Sequence, residues 1–174
     1  MCADIHDISI RSSRLSIEPF REQDAAESFQ CITPSLTRYM SWEAPRNADE
    51  YENVWRRWLQ TIADGSDFVF TIRRLPDGRF IGLAGLHDTH GDTPELGIWI
   101  REDEHRCGYG SEAVDAVFRY ASQATTAASF IYPVAVENLS SRKIAEQLGG
   151  NIIETRSASK YDAVVYSIPR SSSP

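Results

Sequence analysis

The sequence predicts a single domain of the mixed α/β class. Three observations predict it. The chain has 174 residues, the length of one ordinary domain. Its first half carries strand-like segments joined by short polar turns, whereas its second half runs strand, helix, strand, helix, strand. With 41% hydrophobic and 25% charged residues it has the apolar content for a packed core and excludes long-range disorder.

The elements follow in order. The termini, through Ser13 and from Arg170 onward, are expected to fray. Arg14–Phe20 alternates as a strand does, and Glu22–Ile32 reads as a short helix with Ala25, Phe29 and Ile32 on one side. After Pro45, Asn47 can cap a helix, with Glu50 at the reciprocal third position and Asp49 in the first turn. Tyr51, Val54, Trp55, Trp58, Leu59 and Ile62 then form an apolar stripe of helical period, which reads as core, and Gly65 is a natural stop. Phe68–Arg74 and Phe80–Leu86 are strands around a Pro76-Asp77-Gly78 turn, and Glu95–Ile100 is the next strand. A helix over Ser111–Ala121, a strand over Phe130–Val136 and a helix over Ser140–Leu148 ending at Gly149-Gly150 come next. Two closing strands near Ile152 and Val164 complete the pattern.

Charge narrows the function classes. Lys and Arg number 18 against 25 Asp and Glu, a net charge of −7 that is unsuited to clamping nucleic-acid phosphates and better suited to a cationic acceptor. No apolar run reaches the ~18 residues that span a bilayer, and the first residues lack the pattern of a secretion signal, so a cytoplasmic location is expected. Cys2, Cys31 and Cys107 are odd in number and widely spaced, which fits reduced thiols and gives no zinc framework. His87-Asp88-Thr89-His90-Gly91-Asp92 reads as a polar loop, and no metal is expected.

The informative segment is strand Glu95–Ile100 followed by His105-Arg106-Cys107-Gly108-Tyr109-Gly110-Ser111 and a helix. Glycines before a helix allow close backbone approach, while free N–H groups and the helix dipole attract phosphate. Arg106 adds a full positive charge. A nucleotide-hydrolysing P-loop would need Gly-Lys-Ser/Thr, which the chain lacks. Gly108, Gly110 and Ala113 do fit the dinucleotide fingerprint G-x-G-x-x-A, but Glu137 lies too far on to serve as its acidic partner. A turn that merely starts a helix remains a third reading.

The segment His105–Ala113 resembles the pyrophosphate-binding loop of the GNAT superfamily of N-acetyltransferases, with His105 where that motif has Gln or Arg. Gly108-Tyr109-Gly110-Ser111-Glu112-Ala113 is similar to its RimJ/RimL-like branch, which acetylates protein N-termini, as is Asn138-Leu139-Ser140-Ser141 with Leu148-Gly149. Arg14-Leu15, Phe20 and Asp24 add a weaker match. The resemblance implies one GNAT-like domain, a twisted mixed sheet with helices on both faces. It also implies that two central strands, Glu95–Ile100 and Phe130–Val136, splay apart to admit acetyl-CoA. Pro133, which cannot donate a ladder hydrogen bond, suits a strand whose pairing is broken, as it would suit an edge or a bulge.

The resemblance further implies site residues. The amides of Arg106, Cys107, Gly108, Tyr109, Gly110 and Ser111 would cradle the diphosphate, and the backbone of Ile98, Trp99 and Ile100 would bond the pantetheine arm. Asn138 would bond the pantetheine amides, and Ser141 would hydrogen-bond the leaving sulfur. Both also suit a plain helix start. Many family members carry a Tyr further along this helix, at the place of Ala145 here. Alternation puts Glu95, Gly97 and Trp99 on one face of their strand, a carboxylate beside a gap and an aromatic, and nominates Glu95 as general base with a pKa raised by burial. Trp42 and Glu43 are candidates for the acceptor wall, Glu43 attracting an ammonium. The reading that results is direct acetyl transfer from acetyl-CoA to a primary amine, on a protein N-terminus or a small molecule, with no nucleic-acid, membrane or metal partner. The alternatives are a catalytically weak acyl-CoA-binding or sensing module and, further off, a dinucleotide-binding protein. Nothing in the residues chooses between monomer and homodimer.

Overall fold

The computed structural model describes residues 8–171. Eight strands form one sheet: β1 (Ile10–Arg11), β2 (Leu15–Pro19), β3 (Phe68–Arg74), β4 (Phe80–His87), β5 (Glu95–Ile100), β6 (Ser129–Ala135), β7 (Asn151–Ser157) and β8 (Asp162–Pro169). Their order is β1-β2-β3-β4-β5-β6-β8-β7, antiparallel throughout except for β5 beside β6. A doubly wound parallel sheet, which the dinucleotide reading needs, is not what the chain builds. Five helices accompany the sheet: α1 (Ala25–Cys31), α2 (Pro34–Thr37), α3 (Ala48–Asp64), α4 (Tyr109–Ala124) and α5 (Leu139–Gln147).

Helices cover both faces, as β3 shows residue by residue. The Thr71 hydroxyl donates to Asp24 beside α1 at 2.9 Å, while the ring of the neighbouring Phe70 meets Tyr120 of α4 edge-on at 6.1 Å. Successive strand side chains point to opposite faces, so α1 and α4 lie on opposite sides. The α3 stripe packs inward as the period predicts, with Tyr51, Trp55 and Ile62 buried and the Trp58 ring 5.3 Å from Phe20 and 5.8 Å from Tyr51. Asn47 accepts from the Glu50 N–H at 2.8 Å, and Gly65 closes the helix in the left-handed region at φ 76°. Glu50 does not reciprocate onto Asn47. Its carboxylate accepts the Arg46 N–H instead, one residue further back.

Five boundaries depart from the sequence reading, the first being α4, which runs Tyr109–Ala124 and so takes in Tyr109 and Gly110 ahead of the expected start at Ser111. The N-terminal segment is not frayed from Ile8 onward: Ile8 and Ile10 are buried, and Ile10–Arg11 pairs with β2. At the other end, the Arg170 N–H donates to the Ala128 carbonyl at 2.9 Å, so the fraying expected there does not include Arg170; residues 1–7 and 172–174 lie outside the described part. Glu22–Ile32 divides into a 3-10 turn (Glu22–Asp24) and α1, because the Asp24 carboxylate turns back to accept the Arg21 N–H. The short α2 begins at Thr33, which accepts the Leu36 N–H at 3.0 Å, with Pro34 in the first helical position.

The structural feature that positions the site is the β5–β6 junction. Only Glu95 and Ile131 stand in register, and the Ile131 N–H donates to the Pro94 carbonyl at 2.9 Å. Beyond that pair the strands separate. Pro133 lies two residues past Ile131, so its nitrogen faces the same way, into the gap, where a missing N–H costs nothing. Its other edge is fully engaged, since β6 pairs with β8 from Ser129 to Ala135.

Asp24 ties one face together: only 4% exposed, it accepts from Thr71, from the Arg21 N–H and from Arg73 at 2.9 Å. Replacing it with alanine leaves the buried Thr71 hydroxyl without this acceptor and takes one of the two carboxylates from Arg73, which keeps Glu27, so Asp24→Ala should cost ~2–3 kcal/mol in chemical denaturation. Glu52→Ala, which removes one exposed helix pair with Arg56, should cost at most ~0.5 kcal/mol.

Candidate active site

The loop between β5 and α4 is held in a shape few sequences adopt. Arg106 has φ 63° and Gly108 φ 79°, two left-handed residues flanking Cys107. Such a path turns consecutive N–H groups to one side, as in anion-binding nests. Among the described residues, no acceptor takes the N–H of Arg106, Cys107, Gly108, Tyr109, Gly110 or Ser111, and Gly108 offers no capping side chain. These donors and the positive end of a 16-residue helix point at the same place. The exposed Arg106 guanidinium has no ion-pair or hydrogen-bond partner among the described residues. An added Cβ at Gly110 would meet Ile144 of α5 at 3.4 Å and Ile100 of β5 at 3.7 Å, ordinary contact distances, so this position packs closely against both elements without demanding glycine.

Two braces hold this loop, and sequence reading found neither. His105, which replaces the Gln or Arg of the resembling motif, turns its Nε2 to the Ile100 carbonyl at 2.7 Å and so ties the loop to the end of β5. Arg14 reaches across from β1–β2: its Nη1 donates to the Cys107 carbonyl at 3.1 Å, and its guanidinium lies 4.5 Å from the Tyr109 ring centroid. Glu112 in the first turn of α4 holds Arg14 by a 2.7 Å bond from Nε and also accepts from Ser12, Ser13 and the Arg14 N–H. Burial opposes ionising Glu112, yet these bonds keep its pKa below the ordinary value. A separation of 98 residues hides this contact from any local pattern. On the α5 side of the loop a cavity of about 360 Å³ opens between Gly108, Ser111 and the Ile144–Leu148 end of α5.

At the opposite end of β5, Glu95 sits half-buried at the point where the strands part. Burial pushes its carboxyl above the ordinary value; His87 and Arg156 pull the other way, and Asp67 adds to the rise. His87 faces Glu95 in register across the β4–β5 pair, with Nδ1 3.5 Å from Asp67. Its ring lies over Gly85, where an added Cβ would come within 2.4 Å of Nε2. Gly85 pairs with Gly97, and a Cβ on Gly97 would meet nothing within 4 Å. The His87 ring therefore fills the space above Gly85, and open space beside Glu95 remains over Gly97. Trp99, expected to line this space, does not: it is 8% exposed, and its ring packs 5.8 Å from Phe80. The polar segment after His87 is anchored to the end of α3 by the Thr89 N–H, which donates to the Ser66 carbonyl at 3.0 Å. Among the described residues no group of three or more His, Cys, Asp or Glu side chains is placed to hold a metal ion.

Trp42 and Glu43 reach the same region through Lys160, in the turn between β7 and β8. The Lys160 ammonium donates to the Thr37 carbonyl at 2.8 Å and the Trp42 carbonyl at 3.1 Å, and pairs with Glu43 at 2.9 Å. The adjoining Tyr161 has its pKa raised by burial and, to a lesser extent, by the Glu95 charge, so this hairpin lies within reach of that charge. Glu43 is thus paired through Oε1, while its side chain stays 78% exposed. Asn138 caps α5, its Oδ1 accepting from Ser141 N–H at 3.3 Å, which leaves the Nδ2 hydrogens unused among the described contacts. Ser141 is half-buried and hydrogen-bonded to Tyr132 of β6 at 2.7 Å. Ala145, where many family members carry Tyr, is fully buried.

The strands parted around one registered pair, the anion cradle at the head of α4 and the carboxylate at the vertex define an acyl-transfer fold. Residues 14–151 match the model of the acetyltransferase (GNAT) domain, and the chain belongs to that family. It is an acetyl-CoA-dependent N-acetyltransferase in a single GNAT domain. A search of curated proteins by sequence finds no match. Solved structures that share the fold include RimL, a ribosomal L7/L12 alpha-N-protein acetyltransferase in complex with coenzyme A (14% identity, TM-score 0.82, 93% of this chain and 98% of that one). Another is spermidine N-acetyltransferase from Vibrio cholerae in complex with CoA and spermine (17%, 0.78, 91% and 97%). A third, from Salmonella typhimurium, modifies the N-terminal serine of a 50S ribosomal subunit protein (14%, 0.81, 93% and 99%).

Two measurements follow. Arg106→Ala removes a cation that no described residue pairs beside the free N–H groups and should raise the KM for acetyl-CoA by about 5- to 30-fold with little change in kcat. Glu95 binds its proton more tightly in the folded protein than in the unfolded one, so its stabilising contribution is complete below the ordinary carboxyl pKa and is lost as pH rises through the raised value. Glu95→Gln should therefore melt above the parent at neutral pH and level with it in acid.

Proposed function

We propose that this acetyltransferase acts on the α-amino group of a protein or peptide, in the manner of the RimJ/RimL-like branch, by direct transfer without a covalent enzyme intermediate. The observation that carries the reading is the run of unengaged N–H groups from Arg106 to Ser111, set one strand's length from Glu95. Five residue steps of β5 span ~17 Å, a distance over which an extended pantetheine arm can run along the open edge. The diphosphate sits on the cradle and the backbone of Ile98, Trp99 and Ile100 bonds the arm as an added strand would. The Asn138 amide takes an arm carbonyl. The thioester then lies at the vertex beside Glu95.

An ammonium acceptor must lose a proton before attack. Glu95, half-buried with a raised pKa, takes it through water, and its affinity for protons is closer to neutrality than that of an exposed carboxylate. The free amine attacks the thioester carbon, the tetrahedral intermediate collapses, and the C–S bond breaks with its electron pair on sulfur. Ser141 donates a hydrogen bond to that sulfur, and the second proton lost by nitrogen ends on the thiol. The open space over Gly97 admits an extended peptide end beside the vertex, and Trp42 stands in the wall. A cytoplasmic location accords with the supply of acetyl-CoA and with the free thiols Cys31 and Cys107.

The test is a screen for free-thiol release from acetyl-CoA with N-terminal peptides and with small amines including spermidine. Faster turnover of a peptide set supports this reading, turnover of polyamines alone makes the protein a small-amine enzyme, and CoA binding without any turnover makes it an acyl-CoA-binding module. With the preferred acceptor, Glu95→Gln should lower kcat ~100-fold, leave the KM for acetyl-CoA nearly unchanged and abolish the acid limb of the pH–rate profile. That limb in the parent should lie above the ordinary glutamate value.

A further inference from the structure

The leaving-group end of the site contains a buried tyrosine that the reaction as described does not use. Tyr132 lies on β6, one residue before the proline that faces the gap, and is 2% exposed. Its hydroxyl has one hydrogen-bond partner among the described residues, the Ser141 hydroxyl at 2.7 Å. Distance alone leaves the direction of that bond open, but burial decides it. A phenol has one proton to donate, and leaving a buried donor without an acceptor costs the full desolvation of the group. Burial also pushes the Tyr132 pKa up to about 12, so the phenol keeps its proton at any working pH. Were Ser141 the donor, the Tyr132 O–H would have no acceptor. With Tyr132 as donor, Ser141 accepts through a lone pair and keeps its own hydrogen for a different partner. Ser141 is half-buried, so that partner lies on its open side.

We infer that Tyr132 is a positioning residue for acetyl transfer: its phenol donates to Ser141 Oγ and thereby aims the serine's own O–H at the sulfur of the departing coenzyme. This rests on the reading of Ser141 given under the proposed function and deepens it. Without Tyr132 the serine hydrogen is free to turn towards other acceptors, as helix serines commonly do towards main-chain carbonyls of the preceding turn. In the transfer the C–S bond breaks, its electrons pass to sulfur, and the hydrogen bond from Ser141 stabilises the thiolate until it takes the proton lost by the amine. Tyr132 supplies no proton to the products and is unchanged by the cycle. The hydroxyl on Ser141 is also made a better donor, because a hydrogen bond accepted at its oxygen polarises its own O–H.

Two readouts on the full chain test this. The first needs no activity. Ser141→Ala deprives a buried phenol of its acceptor and should lower the melting temperature by about 2–6 °C, whereas Tyr132→Phe removes the phenol's need and should shift it by less than about 2 °C. The double variant should melt with Tyr132→Phe, not at the sum of the two losses. The second is kinetic. Tyr132→Phe should lower kcat by about 3- to 10-fold with the KM for acetyl-CoA within about twofold, and should have no further effect on kcat in the Ser141→Ala background. A Tyr132→Phe enzyme with the parent's kcat, or losses from the two substitutions that multiply, would overturn the inference, as would a Ser141→Ala protein as stable as the parent. Failure of the functional reading looks different: the parent itself would release no thiol with any amine, while the melting series still reports the direction of the bond.

Discussion

The rest of the structure depends on a hydrogen-bond ladder that stops after one rung. Two parallel strands in the middle of a sheet normally pair along their length, since each unpaired buried N–H or C=O carries a desolvation cost. Here β5 and β6 share a single registered pair, Glu95 with Ile131. The opening is sustained from both sides. β6 is fully paired to β8, and β5 to β4, so each strand is rigid without the other. Pro133 ensures that re-pairing would regain less than a full ladder. What remains along the edge of β5 is a row of main-chain groups with which another extended, amide-bearing chain can pair, and the pantetheine arm proposed to lie there is such a chain.

The cradle at the other end of β5 is pre-shaped. A loop with a non-glycine residue at φ 63° would relax if left alone, and two ties prevent it. His105 fastens it to the strand that lines the gap, and Arg14, held by Glu112, fastens it to the other edge of α4. The guanidinium of Arg14 therefore acts as a buttress, leaving Arg106 as the cation that faces outward. Ordering of the donors occurs when the protein folds, not when the coenzyme binds, and this lowers the entropic cost of association.

Much of this was legible in the sequence. The α3 stripe between Asn47 and Gly65, the Asp77-Gly78 turn and the glycines before α4 each follow from local chemistry, and the structure places them where their period and spacing require. Glu95 was found because alternation sets it apart from the apolar face of its own strand. What escaped was contact between distant segments. Nothing near Arg14 marks it as a brace for residue 107, and nothing near His87 says that a hairpin will set it opposite Glu95 over Gly85. Glu43 looked free because its partner, Lys160, lies more than a hundred residues away. Trp99 was misjudged for a related reason: alternation tells which side of a strand a residue takes, but not whether a neighbouring ring such as Phe80 already fills that side.

The Lys160 clasp has a consequence for an enzyme whose chemistry targets amines. Lys160, in the turn between β7 and β8, is itself a primary amine. All three N–H bonds of Lys160 are committed, to Thr37, Trp42 and Glu43, and a nitrogen so bound presents no lone pair. To serve as an acceptor itself, this amine would first have to give up all three contacts and a proton. Held as it is, it fastens the turn between β7 and β8 to the segment that follows α2.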